Sequence, residues 1–167
     1  MKATLYIASS LNGFITKGET DSNWVSSEDE KMFTQVCGQV GCVLVGSKTF
    51  QQYQDTVYPV PGVQNVVLTT RALPQVDPSV HGASDMDTAL NKIRALGFDR
   101  FVVVGGASVI DQCFQRKLID RVYLSLHPCL FSDGLPLALV DARLSFEGIK
   151  AQSDAFVLLD YKVIAYD

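Results

Sequence analysis

Residues that suit an anionic phosphate follow three short apolar runs of this sequence. Residues 105–108, Gly-Gly-Ala-Ser, come after Phe-Val-Val-Val, and residues 47–49, Ser-Lys-Thr, come after Cys-Val-Leu-Val and a glycine. Residues 69–71, Thr-Thr-Arg, follow a third run that ends at Leu68. Backbone N–H groups at a glycine turn, hydroxyls, and the side chains of lysine and arginine all bind phosphate oxygens. The sequence therefore predicts a ligand that carries phosphate groups.

Each of these patterns also has a simpler interpretation. A glycine pair after a strand is often only a tight turn, and residues 105–108 do not follow the GxGxxG spacing of a dinucleotide-binding motif. A serine at the start of a helix is often an ordinary N-cap beside a solvated lysine. The three patterns support one another because the carboxyl ends of parallel strands meet at one edge of a sheet, where ligands bind.

The elements that would position these residues alternate between strands and helices. Short, wholly apolar runs are typical of strands buried on both faces of a parallel sheet. Apolar residues at three- and four-residue spacing predict helices after Ser26 or Ser27, over 85–96 and over 109–118, and Ser27 with Glu30 would form a capping box. Strands are predicted at 3–9, 42–45, 63–68, 101–104 and 120–126, with a short strand around His81 and an antiparallel hairpin within 144–165. The pattern indicates an α/β fold with a mostly parallel sheet and an antiparallel edge.

Composition excludes several classes of protein. At 167 residues with 47% hydrophobic residues, we expect one compact domain, 1–167. A net charge of −4 without a basic run argues against nucleic acid or an anionic membrane as a partner, and no apolar stretch approaches the roughly 20 residues of a membrane span. The four cysteines form no CxxC pair, so we expect reduced thiols in a cytoplasmic protein. With His81 and His127 far apart, we expect no metal site.

Motifs spread over most of the chain match one superfamily. They are ASSLNGFI from Ala8, VGSKTF from Val45, LTTR from Leu68, VGGASVI from Val104, LIDRVYLSLHP from Leu118, and the spacing of Trp24, Asp29 and Phe33. Together they resemble the dihydrofolate reductase superfamily, especially the reductase domain of the riboflavin-biosynthesis deaminase–reductase. The resemblance implies a three-layer fold around a mostly parallel twisted sheet with an antiparallel C-terminal hairpin. It also implies an NADPH-dependent oxidoreductase acting on a small-molecule substrate.

The same resemblance implies a set of cofactor-binding residues. Ala8 and Ile15 would flank the nicotinamide; Gly46, Ser47, Lys48 and Thr49 would meet the ribose and pyrophosphate; Leu68, Thr69, Thr70 and Arg71 would meet the adenosine side; Gly105, Gly106, Ala107, Ser108 and Val109 would cradle the pyrophosphate. Arg71 or Lys48 would favour the 2′-phosphate of NADPH over NADH. A cis peptide bond is expected between Gly105 and Gly106.

The resemblance further implies that Asp29 and Trp24 are the catalytic residues, with Trp24 near the reaction pocket. In dihydrofolate reductase the acid at this spacing serves pterin recognition and protonation. Reduction of a C=N bond needs a proton on nitrogen as well as hydride on carbon, and a buried carboxyl can supply or relay that proton. Asp29 also has a structural interpretation, because an acid in the first turn of a helix interacts favourably with the helix dipole.

One segment departs from the folate-reducing members. Those enzymes carry an arginine just before the third strand that holds the glutamate tail, whereas residues 62–65 here are Gly-Val-Gln-Asn. The departure argues against dihydrofolate and leaves a small pterin- or pyrimidine-like heterocycle as the expected substrate. Two alternatives stay open: reduction of 5-amino-6-ribosylaminouracil phosphate in riboflavin biosynthesis, and a dinucleotide-binding module without catalysis.

A homodimer is also implied by the resemblance. Residues 130–139, LFSDGLPLAL, are apolar enough to serve as an association surface. The alternative is a loop that packs on its own sheet.

Overall fold

The computed structural model describes residues 1–73, 77–137 and 140–166, which form one sheet flanked by helices. In the described residues the strands are β1 (Lys2–Ser10), β2 (Cys42–Gly46), β3 (Gln64–Leu68), β4 (Val80–Ala83), β5 (Arg100–Gly105), β6 (Ile119–His127), β7 (Ala142–Gln152) and β8 (Val157–Tyr166). The helices are α1 (Ser27–Val40), α2 (Ser47–Gln52), α3 (Met86–Ala95) and α4 (Ala107–Gln115). No helix in this part of the chain is long and apolar enough to cross a membrane.

The sheet is parallel except at one edge. Its strand order is β4-β3-β2-β5-β1-β6-β8-β7, and the strands from β4 to β6 run parallel to one another. β8 pairs antiparallel with both β6 and β7, which confirms the predicted C-terminal hairpin. The carboxyl ends of β1, β2, β3 and β5 therefore meet at one edge, where the three phosphate-binding patterns follow their strands.

Helices cover both faces of the sheet, which confirms the three-layer architecture. α1 and α2 bury Phe33, Val36 and Phe50 on one face. α3 and α4 bury Ile93 and Ile110 on the other. Successive strand residues point to opposite faces, so both sides of each central strand must be apolar, as the predicted runs were.

The start of α1 differs from the predicted capping box. Ser26 is the N-cap, and its hydroxyl accepts a hydrogen bond from the backbone N–H of Asp29 at 3.2 Å. Ser27 is the first helical residue and is exposed, so the expected Ser27–Glu30 box does not form. The acid three residues after the true N-cap is Asp29, and its side chain turns into the protein instead of back to the N-cap. The end of α1 is as expected, at Gly41 with a φ of 84°.

Two further expectations are met in the backbone. The peptide bond between Gly105 and Gly106 is cis, as predicted. His81 lies in the short strand β4. The apolar segment 130–139 is described only as far as residue 137; Ala138 and Leu139 lie outside the described residues. Its described part pairs with the loop after β1, where the N–H of Ile15 donates to the carbonyl of Leu135 at 2.9 Å.

Candidate active site

A cleft of about 460 Å³ lies at the carboxyl edge of the sheet, where β1, β2 and β5 end. Its floor is formed by residues of β1 and β5, among them Tyr6 and Val104. One wall is the loop between β1 and α1 together with the first turns of α1, and another is α2. The position agrees with the general rule that parallel sheets bind ligands beyond the carboxyl ends of their strands.

Hydrogen bonds connect the loop between β1 and α1 to the end of α2 beside this cleft. The side-chain amide of Gln52, at the end of α2, donates to the carbonyl of Thr20 at 2.8 Å. The next residue, Tyr53, exchanges a short hydroxyl–hydroxyl hydrogen bond with Ser22. All four residues line the cleft, so the loop and α2 form a continuous wall on this side.

The structure brings together about half of the predicted cofactor-binding residues. Those that line the cleft are Ala8, Ile15, Lys48, Thr49, Gly105, Gly106 and Ala107. Those that do not are Gly46, Ser47, Leu68, Thr69, Thr70, Arg71, Ser108 and Val109. Of the second group, Ser108 is exposed on α4, whereas Val109 is buried in the core beneath that helix.

The glycines at this edge allow β2 and β5 to approach closely. A Cβ atom on Gly46 would lie 3.1 Å from Cγ2 of Val109 and 3.3 Å from the backbone nitrogen of Gly106. A Cβ atom on Gly106 would lie 3.1 Å from the Oγ1 of Thr49. At Gly105, in contrast, nothing lies within 4 Å of the position of a Cβ atom, so a ligand can approach its peptide groups directly.

The charges and free donors at this edge suit phosphate. α4 begins after Gly106, whose carbonyl accepts the N–H of Val109 at 3.0 Å. No side chain caps the helix, so within the described residues the N–H groups of Ala107 and Ser108 keep their hydrogen-bonding capacity. Lys48 is exposed at the mouth of the cleft, and no carboxylate of the described residues forms an ion pair with it. These residues fit a phosphate-bearing cofactor such as NADPH.

Residues 69–71 form a separate turn, one strand farther along the sheet. The N–H of Arg71 donates to Oγ1 of Thr69 at 3.1 Å, and the Arg71 side chain is exposed. The turn follows β3, which lies beyond β2 from the cleft. Only an extended ligand that crosses the end of β2 would reach it, so the role of these residues stays a prediction.

Asp29 lies buried at the other end of the cleft, with 2% of its surface exposed. The hydroxyl of Tyr6 donates to its Oδ1 at 2.5 Å. Its Oδ2 is 3.9 Å from Nε2 of His127, and Ser125 faces the carboxyl from the same strand, β6. Asp29 thus belongs to a buried polar cluster that draws on α1, β1 and β6.

Burial is the largest cause of the shifted pKa values of Asp29 and Tyr6. It raises the pKa of Asp29 above its ordinary value, while the hydrogen bond from Tyr6 acts in the opposite direction. Burial, and then the neighbouring Asp29, raise the pKa of Tyr6 far above its ordinary value. The phenol therefore stays neutral and acts as a donor to the carboxyl.

The ring of His127 connects β6 to the start of α1. Its Nε2 accepts the backbone N–H of Ser26 at 3.2 Å, and its Nδ1 is 3.4 Å from the carbonyl of Ser125. These partners assign a neutral ring with its proton on Nδ1. Because Nε2 is the acceptor, its contact with Asp29 is not a hydrogen bond.

Trp24 lies against the buried cluster, and its role near the reaction pocket stays a prediction. Its ring packs edge-on against His127 at 5.3 Å and against Phe131 at 5.2 Å, and it is not among the residues that line the cleft. Its indole N–H donates to the carbonyl of Asp21 at 3.0 Å. Trp24 therefore supports the cluster from behind, through His127.

Sequence reasoning missed three members of the cluster: Tyr6, Ser125 and His127. Each interrupts an otherwise apolar strand with a polar group, and a buried hydroxyl or imidazole needs a partner. That requirement is the signal in the sequence. It does not say which partner, because Tyr6 and Asp29 are 23 residues apart and meet only through the packing of α1 on β1.

Comparison with known proteins decides the family. The sequence model of the RibD C-terminal domain matches residues 2–152. The chain belongs to this family. The match confirms the predicted resemblance to the reductase domain of the riboflavin-biosynthesis deaminase–reductase.

Individual relatives are distant. The uncharacterized protein YyaP of Bacillus subtilis (strain 168) is 23% identical over 163 residues, which span 89% of this chain and 87% of YyaP. A pyrimidine reductase-like protein from Corynebacterium diphtheriae has a TM-score of 0.79 at 16% identity, covering 98% of this chain and 92% of that one. Dihydrofolate reductase from Schistosoma mansoni has a TM-score of 0.78 at 15% identity, covering 99% of each chain. At these identities the solved structures confirm the fold.

Proposed function

We propose that this protein is an NADPH-dependent reductase that transfers hydride to a small pterin- or pyrimidine-like heterocycle. The observation that carries the proposal is one cleft with two chemically different ends. One end has bare backbone at Gly105 and Gly106 beside Lys48 and Thr49, and the other holds the buried carboxyl of Asp29. A phosphate-binding end next to a protonatable acid is what hydride transfer to a C=N bond requires.

In this proposal the chain positions the reactants and manages one proton. When bound, NADPH supplies the hydride that adds to the carbon of the C=N bond. Lys48, Thr49 and the backbone at Gly106 hold the phosphates, and Ala8 and Ile15 offer apolar contacts to a flat ring. The carboxyl of Asp29 donates its proton, directly or through one water molecule, to the nitrogen of the same bond.

The charges of the cleft favour a substrate without phosphate. Glu19 and Glu30 line it together with Asp29, whereas Lys48 is the cation among its lining residues. Carboxylates repel a phosphate ester, and Lys48 belongs to the cofactor end. Family membership keeps the ribosylaminouracil phosphate of riboflavin biosynthesis as the second candidate. An unphosphorylated heterocycle fits the charges better.

The test is NADPH oxidation by the purified protein over a panel of pterins and pyrimidines, with and without a ribose phosphate. We expect saturable NADPH binding that is tighter than NADH binding, and turnover of an unphosphorylated member. Asp29→Asn should lower turnover by about 100-fold or more while the NADPH dissociation constant changes less than about twofold. Preference for the phosphorylated pyrimidine would select the second candidate. NADPH binding without any turnover would indicate a binding module, and no NADPH binding would refute the proposal.

We further propose that the protein acts as a cytoplasmic homodimer. The four cysteines are all unpaired, which suits a reducing compartment. β7 exposes large apolar side chains, with Phe146 57% and Ile149 55% exposed, which suits association between copies.

A further inference from the structure

We propose that Tyr6 is the positioning residue for Asp29: its hydroxyl holds Oδ1 and thereby restricts the acidic proton to Oδ2. The inference deepens the proposed reductase function and rests on it for its catalytic meaning. It assigns a role to a residue outside the motifs that carry the family resemblance.

The Tyr6 ring cannot move away from the carboxyl without disturbing the core. It is 4% exposed and packs edge-on against Phe33 at 5.4 Å and against Tyr123 at 6.4 Å. Its hydroxyl lies 2.5 Å from Oδ1 of Asp29, a short hydrogen bond. A rigid donor at that distance fixes the rotation of the carboxyl group about its own axis.

The hydrogen bond also decides which oxygen carries a proton. Tyr6 stays neutral and donates, so Oδ1 must accept. When the carboxyl is protonated, its proton therefore lies on Oδ2. Tyr6 and Asp29 both line the cleft, so this arrangement is built beside the place where the substrate would lie.

Groups on every element around Asp29 bear on its titration. Tyr6 faces it from β1, and Ser125 and His127 face it from β6. On α1 itself, Glu28 and Glu30 flank it in sequence and are exposed. Among these, Tyr6 makes the short hydrogen bond to the carboxyl, so its removal should have a measurable effect.

The experiment compares Tyr6→Phe with Tyr123→Phe. Both substitutions remove one phenolic hydroxyl from the same aromatic cluster, but Tyr123 does not line the cleft. The first measurement needs no activity: the pH titration of the Asp29 carboxyl carbon by NMR, with its resonance assigned through Asp29→Asn. Because Tyr6 stabilises the ionised carboxyl, Tyr6→Phe should move the midpoint to higher pH by about one unit, a tenfold change in proton binding. Tyr123→Phe should leave it in place.

The second measurement is the pH dependence of turnover with a heterocycle that the protein reduces. Activity that needs protonated Asp29 falls as the pH rises through its midpoint, so Tyr6→Phe should shift this decline to higher pH. Maximal turnover should fall about tenfold because the carboxyl is no longer held. An unchanged NMR midpoint in Tyr6→Phe, or an equal shift in Tyr123→Phe, would overturn the role of Tyr6. If no heterocycle is reduced by any variant, the proposed function fails, and the NMR titration still decides the inference.

Discussion

Asp29 is a residue whose ionised form opposes folding. It is 2% exposed, and its pKa is raised in the folded protein mainly by burial. The folded state thus keeps a proton at pH values where the unfolded chain has released it. The free energy of unfolding therefore falls as the pH rises from the ordinary value of 3.8 through the folded pKa, and the loss is complete above it.

Replacing Asp29 by Asn should make the protein more stable at neutral and basic pH. Asparagine keeps an oxygen to accept the Tyr6 hydroxyl and never ionises, so it resembles the protonated acid. The melting temperature of Asp29→Asn should exceed that of the wild type by about 2–4 °C for each kcal/mol relieved. Calorimetry between pH 4 and 8 should show the difference growing with pH. The exposed Asp154, changed to Asn, is the control, and a difference independent of pH would contradict the interpretation.

Sequence spacing identified Asp29 but not the groups around it. The interval from Trp24 to Phe33 is local, so one helix start is enough to carry the pattern. The partnership of Asp29 with Tyr6 depends on the packing of α1 on β1, and that with Ser125 and His127 on the pairing of β1 with β6. Neither set of partners can be predicted from a single amino-acid sequence, because both depend on contacts between distant segments. The spacing of Trp24 also fits the family, but it does not predict that the ring packs on His127.

The start of α1 is the element that presents Asp29 to the cleft. Ser26 and Ser27 follow each other at this point of the chain, and either serine could be the N-cap on local chemistry alone. The structure chooses Ser26, whose N–H donates to Nε2 of His127 while its hydroxyl caps the helix. A contact with β6 thus sets the first residue of α1. Sequence reasoning missed it because His127 is 101 residues away.

Removing the hydroxyl of each serine separates the two interpretations. Ser26→Ala should lower the free energy of unfolding by about 1 kcal/mol, because the N–H of Asp29 loses its acceptor. Ser27→Ala should change it by less than about 0.5 kcal/mol, since Ser27 is exposed and inside the helix. Urea denaturation of both variants measures the effect. An equal loss in the two variants, or a larger one in Ser27→Ala, would restore the capping box predicted from the sequence.

At the scale of the whole molecule, the parallel part of the sheet was the most predictable. Its strands are buried on both faces, so Val43 and Leu44 are both fully buried although they point to opposite sides. Such runs are recognisable without knowledge of the fold. The hairpin of β7 and β8 was predictable only in outline. Several bulges shift its register, and these depend on backbone geometry that a weak alternation of residues does not specify.

The hairpin also carries the apolar surface that the fold leaves open. Leu144, Phe146 and Ile149 pair directly with Val163, Tyr161 and Leu159 of β8. The three partners on β8 are two residues apart, so their side chains lie on one face of the sheet. Residues directly opposite each other on paired strands point to the same face, so Leu144, Phe146 and Ile149 lie on that face too. The exposed side chains of β7 therefore extend the core beneath α3 and α4, against which Tyr161 and Val163 already pack. A soluble monomer rarely leaves such a strip on an edge strand uncovered.

We expect a second copy of the chain to cover the exposed apolar side chains of β7. Phe146→Glu should convert a dimer into a monomer at micromolar concentration, because a carboxylate would be buried without a partner in the interface. Leu130→Glu is the matched control, since Leu130 is 70% exposed and belongs to the segment 130–137, the other apolar candidate. Sedimentation velocity of the wild type and both variants measures the assembly. Dissociation by Leu130→Glu alone would move the interface to that segment, and a monomeric wild type would refute the homodimer.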